Sequence, residues 1–177
     1  MEEYFTLIKI ACIKNNIDSI KDYVKAGHIN YEDKYYATIL SIAALNNKYE
    51  ICEYLIKNGA NINNINSPPL VGAAQNGNYA ICKLLLENGA DVNMPETKNS
   101  SRTALQAACV YCNYEVVELL FDYGADHQIK NDSNETCLDC IQPRTRYFPE
   151  VIEFFDWIND EIITRTKYKI RKHLFFL

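Results

Sequence analysis

Histidine is scarce in this chain of 177 residues, which holds only His28, His127 and His173. None of the three has a Ser, Cys or Asp partner at a telling spacing, so a nucleophile–base arrangement has no support. Glycine is also scarce, at six residues, and none of them builds a phosphate-binding loop. A His-Glu-x-x-His motif is missing as well. Nor does any apolar run approach the roughly 18 residues of a membrane span. The start, Met1-Glu2-Glu3-Tyr4, is acidic, and Lys9 and Lys14 cut the apolar stretch behind it, which is not the layout of a secretory signal. Finally, basic charge is in deficit, with a formal net charge of -5, whereas a general nucleic-acid binder needs a net basic face. These absences predict a chain with no catalytic site, no cofactor, no nucleic-acid partner and no transmembrane segment. They suit a cytoplasmic protein whose seven cysteines stay as thiols in a reducing compartment.

What is present is apolar residues, 48% of the chain, enough for one domain or one short array of repeats. Asn, Ile, Lys and Tyr are abundant, which points to an AT-rich coding sequence, as in a virus or intracellular bacterium. The charge is uneven: Arg165, Lys167, Lys169, Arg171 and Lys172 crowd the last stretch and leave the rest more acidic than the total.

The chain also resembles itself. Thr38 to Ala44, Pro69 to Ala74 and Thr103 to Cys109 align with one another, and Ile10-Ala11-Cys12 aligns with their centres. Each is followed by a second segment ending in glycine, at Gly27, Gly59, Gly89 and Gly124. The equivalent residues Ala11, Ala43, Ala73 and Ala108 stand 32, 30 and 35 positions apart, and Thr103 to Thr136 adds a step of 33. A fifth unit opens at Asn131 and degenerates after Ile141. Fixed self-similarity at this period is the mark of a solenoid.

Each unit has a physical reading. Small pairs such as Ala43-Ala44 and Ala73-Ala74 let a short first helix pack close to its neighbours. A turn follows at Asn47, Gly77 or Cys112. The second helix carries apolar residues at i, i+3 and i+4, as in Ile51, Tyr54 and Leu55 or Ile81, Leu84 and Leu85. The glycine after it suits a left-handed C-terminal cap.

These residues resemble the ankyrin pattern, Thr-Pro-Leu-His-x-Ala-Ala followed by Leu-Leu-x-x-Gly-Ala-Asp-x-Asn. Leu84 to Asn93 matches the second half almost letter for letter, and the resemblance covers about residues 4 to 142. It implies an all-α solenoid of paired antiparallel helices, stacked about 10 Å apart, with fingers projecting to one side. Approximate repeats fall at 1–30, 31–63, 64–93 and 94–130, with a degenerate unit at 131–148 and a C-terminal capping helix and basic tail at 149–177.

The departures from the pattern have consequences too. Ser41, Val71, Gln106 and Asp139 stand where the family has His, Pro68 replaces Thr, and Gly72 replaces Leu. Each loses hydrogen bonds or packing, so a less stable array is expected. A finger shortened before Pro68 and one extended through Pro95 to Arg102 should alter two adjacent projections.

Pro143 should stop the fifth unit's first helix early, and Pro149 suits the first turn of a new helix carrying Val151, Ile152, Phe154, Phe155, Ile158 and Ile162. Its apolar stripe fits a cap over the last repeat. The alternative is a docking element that recruits a second machine such as a ubiquitin ligase. Phe148-Pro149-Glu150-Val151-Ile152 is faintly similar to the opening of the F-box-like segment that ends some poxvirus ankyrin proteins, without the rest of that motif. Beyond it, Lys167 to Leu177 reads as a packed or frayed terminus.

Cys109-x-x-Cys112 with Cys137-x-x-Cys140 superficially has the spacing of a four-thiolate zinc site. The repeat register separates the pairs onto neighbouring helices, which argues against a metal. Cys52 and Cys82 occupy identical places in adjacent second helices, as small core residues.

With chemistry set aside, surface remains. The resemblance implies that another protein is held by the concave face and fingers; the oligomeric state is open, with a monomer favoured. The corresponding positions are Tyr35, Tyr36, Asn46, Lys48, Gln75, Asn76, Asn78, Arg102, Tyr111, Asn113 and Tyr114. Tyr and Arg are enriched at binding hot spots, which puts Tyr35, Tyr36, Arg102 and Tyr111 first.

Overall fold

A computed structural model describes residues 1–97, 101–145 and 149–174, with side chains placed through Ile141 and, in the last helix, at 153, 154 and 156–167. Among the described residues every regular element is helical. The first helices of successive units are α1 (Glu2–Ile13), α3 (Ile39–Leu45), α5 (Pro69–Gln75), α7 (Ala104–Val110) and α9 (Cys137–Thr145). Their partners are α2 (Ile17–Lys25), α4 (Tyr49–Lys57), α6 (Tyr79–Glu87), α8 (Tyr114–Asp122) and the long α10 (Pro149–Leu174). First helices pack on first helices along the series α1, α3, α5, α7, α9, and α2, α4, α6 and α8 form the parallel outer row.

The reason lies in side-chain size. Ala43, Ala44, Ala73, Ala74 and Ala108 are all fully buried, and a first helix studded with alanine lets its neighbours approach closely. The second helices bury Ile51, Cys52 and Leu55, then Ile81, Cys82 and Leu85, then Val116, Val117 and Leu120. These positions repeat at helical spacing, so one row of apolar side chains runs unbroken from unit to unit.

The turn between the helices of each pair passes through the left-handed region at Asn15, Asn47, Gly77 and Cys112, with φ between 55° and 68°. Only Gly77 adopts it without a side-chain penalty; Asn tolerates it through its short polar side chain, and Cys112 bears the cost.

Polar side chains bind one unit to the next. Asn30 Oδ1 accepts from Asn61 N at 2.7 Å, Asn63 Oδ1 from Asp91 N at 2.9 Å, and Asn93 Oδ1 from Asp126 N at 2.8 Å. Asn63 Nδ2 also donates to Gly89 O at 3.0 Å. One asparagine per unit thus occupies backbone groups left open at the helix ends. Fingers follow a second rule. Asp33, Asn64 and Asn131 each turn a side-chain oxygen onto backbone N–H groups two to four residues ahead, the Asx turn that short acids and amides favour.

Two expectations need correction. The replacements for the family histidine do not simply lose hydrogen bonds. Ser41 and Gln106 complete reciprocal capping boxes with Thr38 and Thr103, and Thr136 donates to Asp139 at 2.7 Å through its hydroxyl. Gln106 Nε2 reaches further, donating to Ile129 O at 3.0 Å and Glu135 O at 2.8 Å in the next finger. The loss is confined to the third unit, where Pro68 caps α5 without a side-chain bond. Nor does α9 stop at Pro143; it continues to Thr145. A proline deletes one backbone donor and crowds the preceding turn, and α9 accommodates it in its interior.

The altered fingers interact. The extended third finger crosses the shortened second one, where Thr97 N and Oγ1 both donate to Ile65 O at 3.1 Å.

Candidate partner-binding surface

On the face beneath the fingers, each first helix presents the residue four places beyond its N-cap and another three further on. In α3 these are Ile42 and Leu45; in α5, Gly72 and Gln75; in α7, Ala107 and Val110. The missing side chain at Gly72 leaves a hollow between its neighbours. Ile42, Leu45, Val71, Gly72, Gln75 and Ala107 floor a recess of about 330 Å³, walled by Ser67 and Pro68 of the second finger and Glu96 and Arg102 of the third. The third finger closes on itself where Glu96 N donates to Arg102 O at 2.9 Å. Gly72 is held by no backbone requirement: its φ is ordinary, and an added Cβ would meet Leu45 Cβ at 3.5 Å, a normal contact.

Arg102 gives the recess its polarity. Its Nε is buried and has no hydrogen-bond partner. A buried donor left unsatisfied costs about 1–3 kcal/mol.

The predicted contact residues divide sharply. Gln75 and Arg102 line the recess. Tyr35 is 70% exposed at the tip of the first finger, with Lys34 Nζ 5.0 Å from its ring centroid, and Tyr36 beside it takes φ 65°. Tyr111 is exposed as the C-cap of α7. Lys48 is half-buried and caps α4 through its backbone.

The amide groups of the asparagines are hydrogen-bonded to backbone carbonyls of the stack. Asn46 Nδ2 donates to Ile42 O at 2.8 Å. Asn76 Nδ2 donates to Leu45 O, and Asn78 Nδ2 to Ala44 O, each at 2.8 Å. Asn113 Nδ2 donates to Ala74 O at 2.8 Å and Gln75 O at 3.0 Å. Ile42 O belongs to Asn46's own helix, whereas the other carbonyls lie in the last turn of the preceding unit's first helix, where intrahelical donors run out. Tyr114 is turned to α10: its ring stands edge-on to Phe154 at 4.6 Å and lies 5.0 Å from Trp157.

Sequence reasoning missed Ile42, Leu45, Pro68 and Glu96. Their signal was present, because Ile42 and Leu45 lie three apart on one face and Gly72 replaces a leucine, but which face was open required the neighbouring units.

Burial pushes the Cys12 and Cys82 thiols up to about 12 and raises Cys52 further. Cys109 is raised by burial and by the thiol of Cys137, to which it is hydrogen-bonded. The described residues contain no group of three or more His, Cys, Asp or Glu side chains placed to hold a metal ion. No helix among them is long and apolar enough to cross a membrane. The F-box-like stretch 148–152 lies outside the described residues and side chains.

A family model described as ankyrin repeats (3 copies) matches residues 8–96 and 68–131. The chain belongs to the ankyrin-repeat family. A curated relative, alpha-latrotoxin-Lg1a of Latrodectus geometricus, is 28% identical over 150 residues, covering 84% of this chain. The chain spans only 9% of the length of that relative. Ankyrin repeats are protein-interaction scaffolds, generally without enzymatic activity.

Proposed function

We propose that this ankyrin-repeat protein binds a partner protein on its concave face, seating a side chain of the partner in the recess over Gly72. Tyr35 and Tyr36 of the first finger extend the contact. The carrying observation is the coincidence of a glycine-made hollow with the unsatisfied Arg102 Nε in one wall. An apolar group fits the floor of Ile42, Leu45 and Val71, and a carboxylate or carbonyl oxygen next to it satisfies the guanidinium. The AT-rich coding bias supports a host protein as the target of a viral or intracellular-bacterial product. The C-terminal helix serves as a cap in this reading, since Phe154 and Ile158 are fully buried.

The test is affinity capture with wild-type protein beside Gly72→Leu, Arg102→Ala and, on the outer row, Glu53→Ala. Gly72→Leu fills the hollow and should lose the partner while the fold is kept. Arg102→Ala should weaken capture about tenfold or more, the scale of a hot-spot residue, and Glu53→Ala should change nothing. Identical capture by all four proteins would place the contact elsewhere.

A further inference from the structure

The two ends of the stack are finished differently. At the C-terminal end α10 lays Phe154, Ile158 and Ile162 into the core, and Arg165 fastens it to Asp122 at 3.0 Å. At the other end, α1 turns Phe5, Ile8 and Cys12 inward and leaves its opposite side bare. Leu7 is 63% and Ile10 45% exposed there, with Ile13 beside them.

The bare side has an order of its own. Glu3, Leu7, Ile10 and Lys14 are spaced by four, three and four residues, which is one seam of a coiled coil. The seam is also self-complementary when reversed. Its midpoint lies between Ile8 and Lys9, with Leu7 and Ile10 equidistant from it, and Glu3 and Lys14 likewise. Two copies of α1 laid antiparallel about a two-fold axis therefore bring each Leu7 against Ile10 of the other copy. The same operation sets Glu3 against Lys14 at both ends. Among the described residues neither Glu3 nor Lys14 has an ion-pair partner within its own chain.

We infer that the outer face of α1 is a homodimer contact, in which two copies of the chain join through an isologous α1–α1 seam. The sequence by itself favoured a monomer. An isologous contact closes after two copies. A 12-residue helix is about 18 Å long, so the seam is smaller than the roughly 800 Å² per partner of a tight complex. The dimer is correspondingly weak, with a Kd on the order of 0.1 mM. Since the seam shares no residue with the recess, its failure and the failure of the concave-face reading are separable.

Sedimentation equilibrium of the full chain from about 10 μM to 1 mM, a range set to bracket that weak Kd, tests this. Wild-type protein should rise from the monomer mass toward twice that value, and Leu7→Asp should stay monomeric. Glu3→Lys and Lys14→Glu should each weaken association about tenfold, because each puts like charges at both ends of the seam. An equimolar mixture of those two variants should restore it, since the mixed pair carries opposite charges at both ends. All four residues are exposed, so thermal melting of the variants should match wild type. A chain that stays monomeric throughout would overturn the inference. So would association indifferent to Leu7→Asp, or a mixture no stronger than its components.

Discussion

At the scale of single residues, the structure makes some apparent weaknesses into working parts. Gly72 sits inside a helix, where glycine costs roughly 0.5–1 kcal/mol relative to alanine, and nothing in its surroundings demands it. Gly72→Ala should therefore raise stability by about that amount while narrowing the recess. A thermal melt beside a binding assay reads both; a loss of stability would show a hidden constraint at this position. Asp33 makes a different case. Burial works to raise its carboxyl, but the Lys9 ammonium at 2.8 Å and the N–H groups of Ala37 and Tyr35 hold it below the usual carboxylate range. A carboxylate with a depressed folded pKa stabilises above its unfolded value, near 3.9, and that contribution disappears as pH falls through the folded value. Asp33→Asn keeps the Asx turn, since Asn64 and Asn131 already serve in that role, and loses only the ion pair. It should cost about 1 kcal/mol at pH 7 and flatten the acid limb of the stability profile below about pH 4. An unchanged acid limb in denaturant titrations would remove Asp33 as its source.

Among the elements, the fingers and α10 depend most on their context. Short first helices of seven residues would not persist alone, because nucleation is costly and so few bonds repay it. They persist because each is capped and covered on both sides. α10 supplies that cover for the last units through Phe154, which is fully buried between Tyr114 and Trp157. Phe154→Ala should cost about 3–5 kcal/mol and should speed amide exchange in α9 and α10 before it affects α3 to α6. A cost below about 1 kcal/mol, the scale of a surface change, would mean that α10 is a docking element and not a cap. The third finger leans on the second through Thr97, so substitutions in either should move both walls of the recess.

The molecule as a whole is a nearly one-dimensional stack, in which stability is a sum of units and nearest-neighbour contacts. Asn63 belongs to two such contacts, donating to Gly89 O and accepting from Asp91 N. Removing both bonds in Asn63→Ala should cost about 1–2 kcal/mol. It should also lower the denaturant m-value, because uncoupled halves no longer unfold in one step. A full-sized m-value would show that apolar contacts alone keep the units cooperative.

Several features of this architecture were open to reading from the residues alone. The recurring alanine pairs, the spacing of Ile51, Tyr54 and Leu55, and the glycines closing each second helix announce helix pairs in tandem, since those preferences are local and the same from unit to unit. The exposed Tyr35 and the wall residue Arg102 were legible for the same reason: fingers lie outside the packed helices. What sequence could not separate was Asn76 and Asn78 from truly free polar residues. Their partners, Leu45 and Ala44, lie more than thirty positions away, and only stacking brings an amide to a helix's last carbonyls. The recess is likewise a property of three helices and two fingers together. A glycine in one helix becomes a hollow only when larger side chains from its neighbours stand around it.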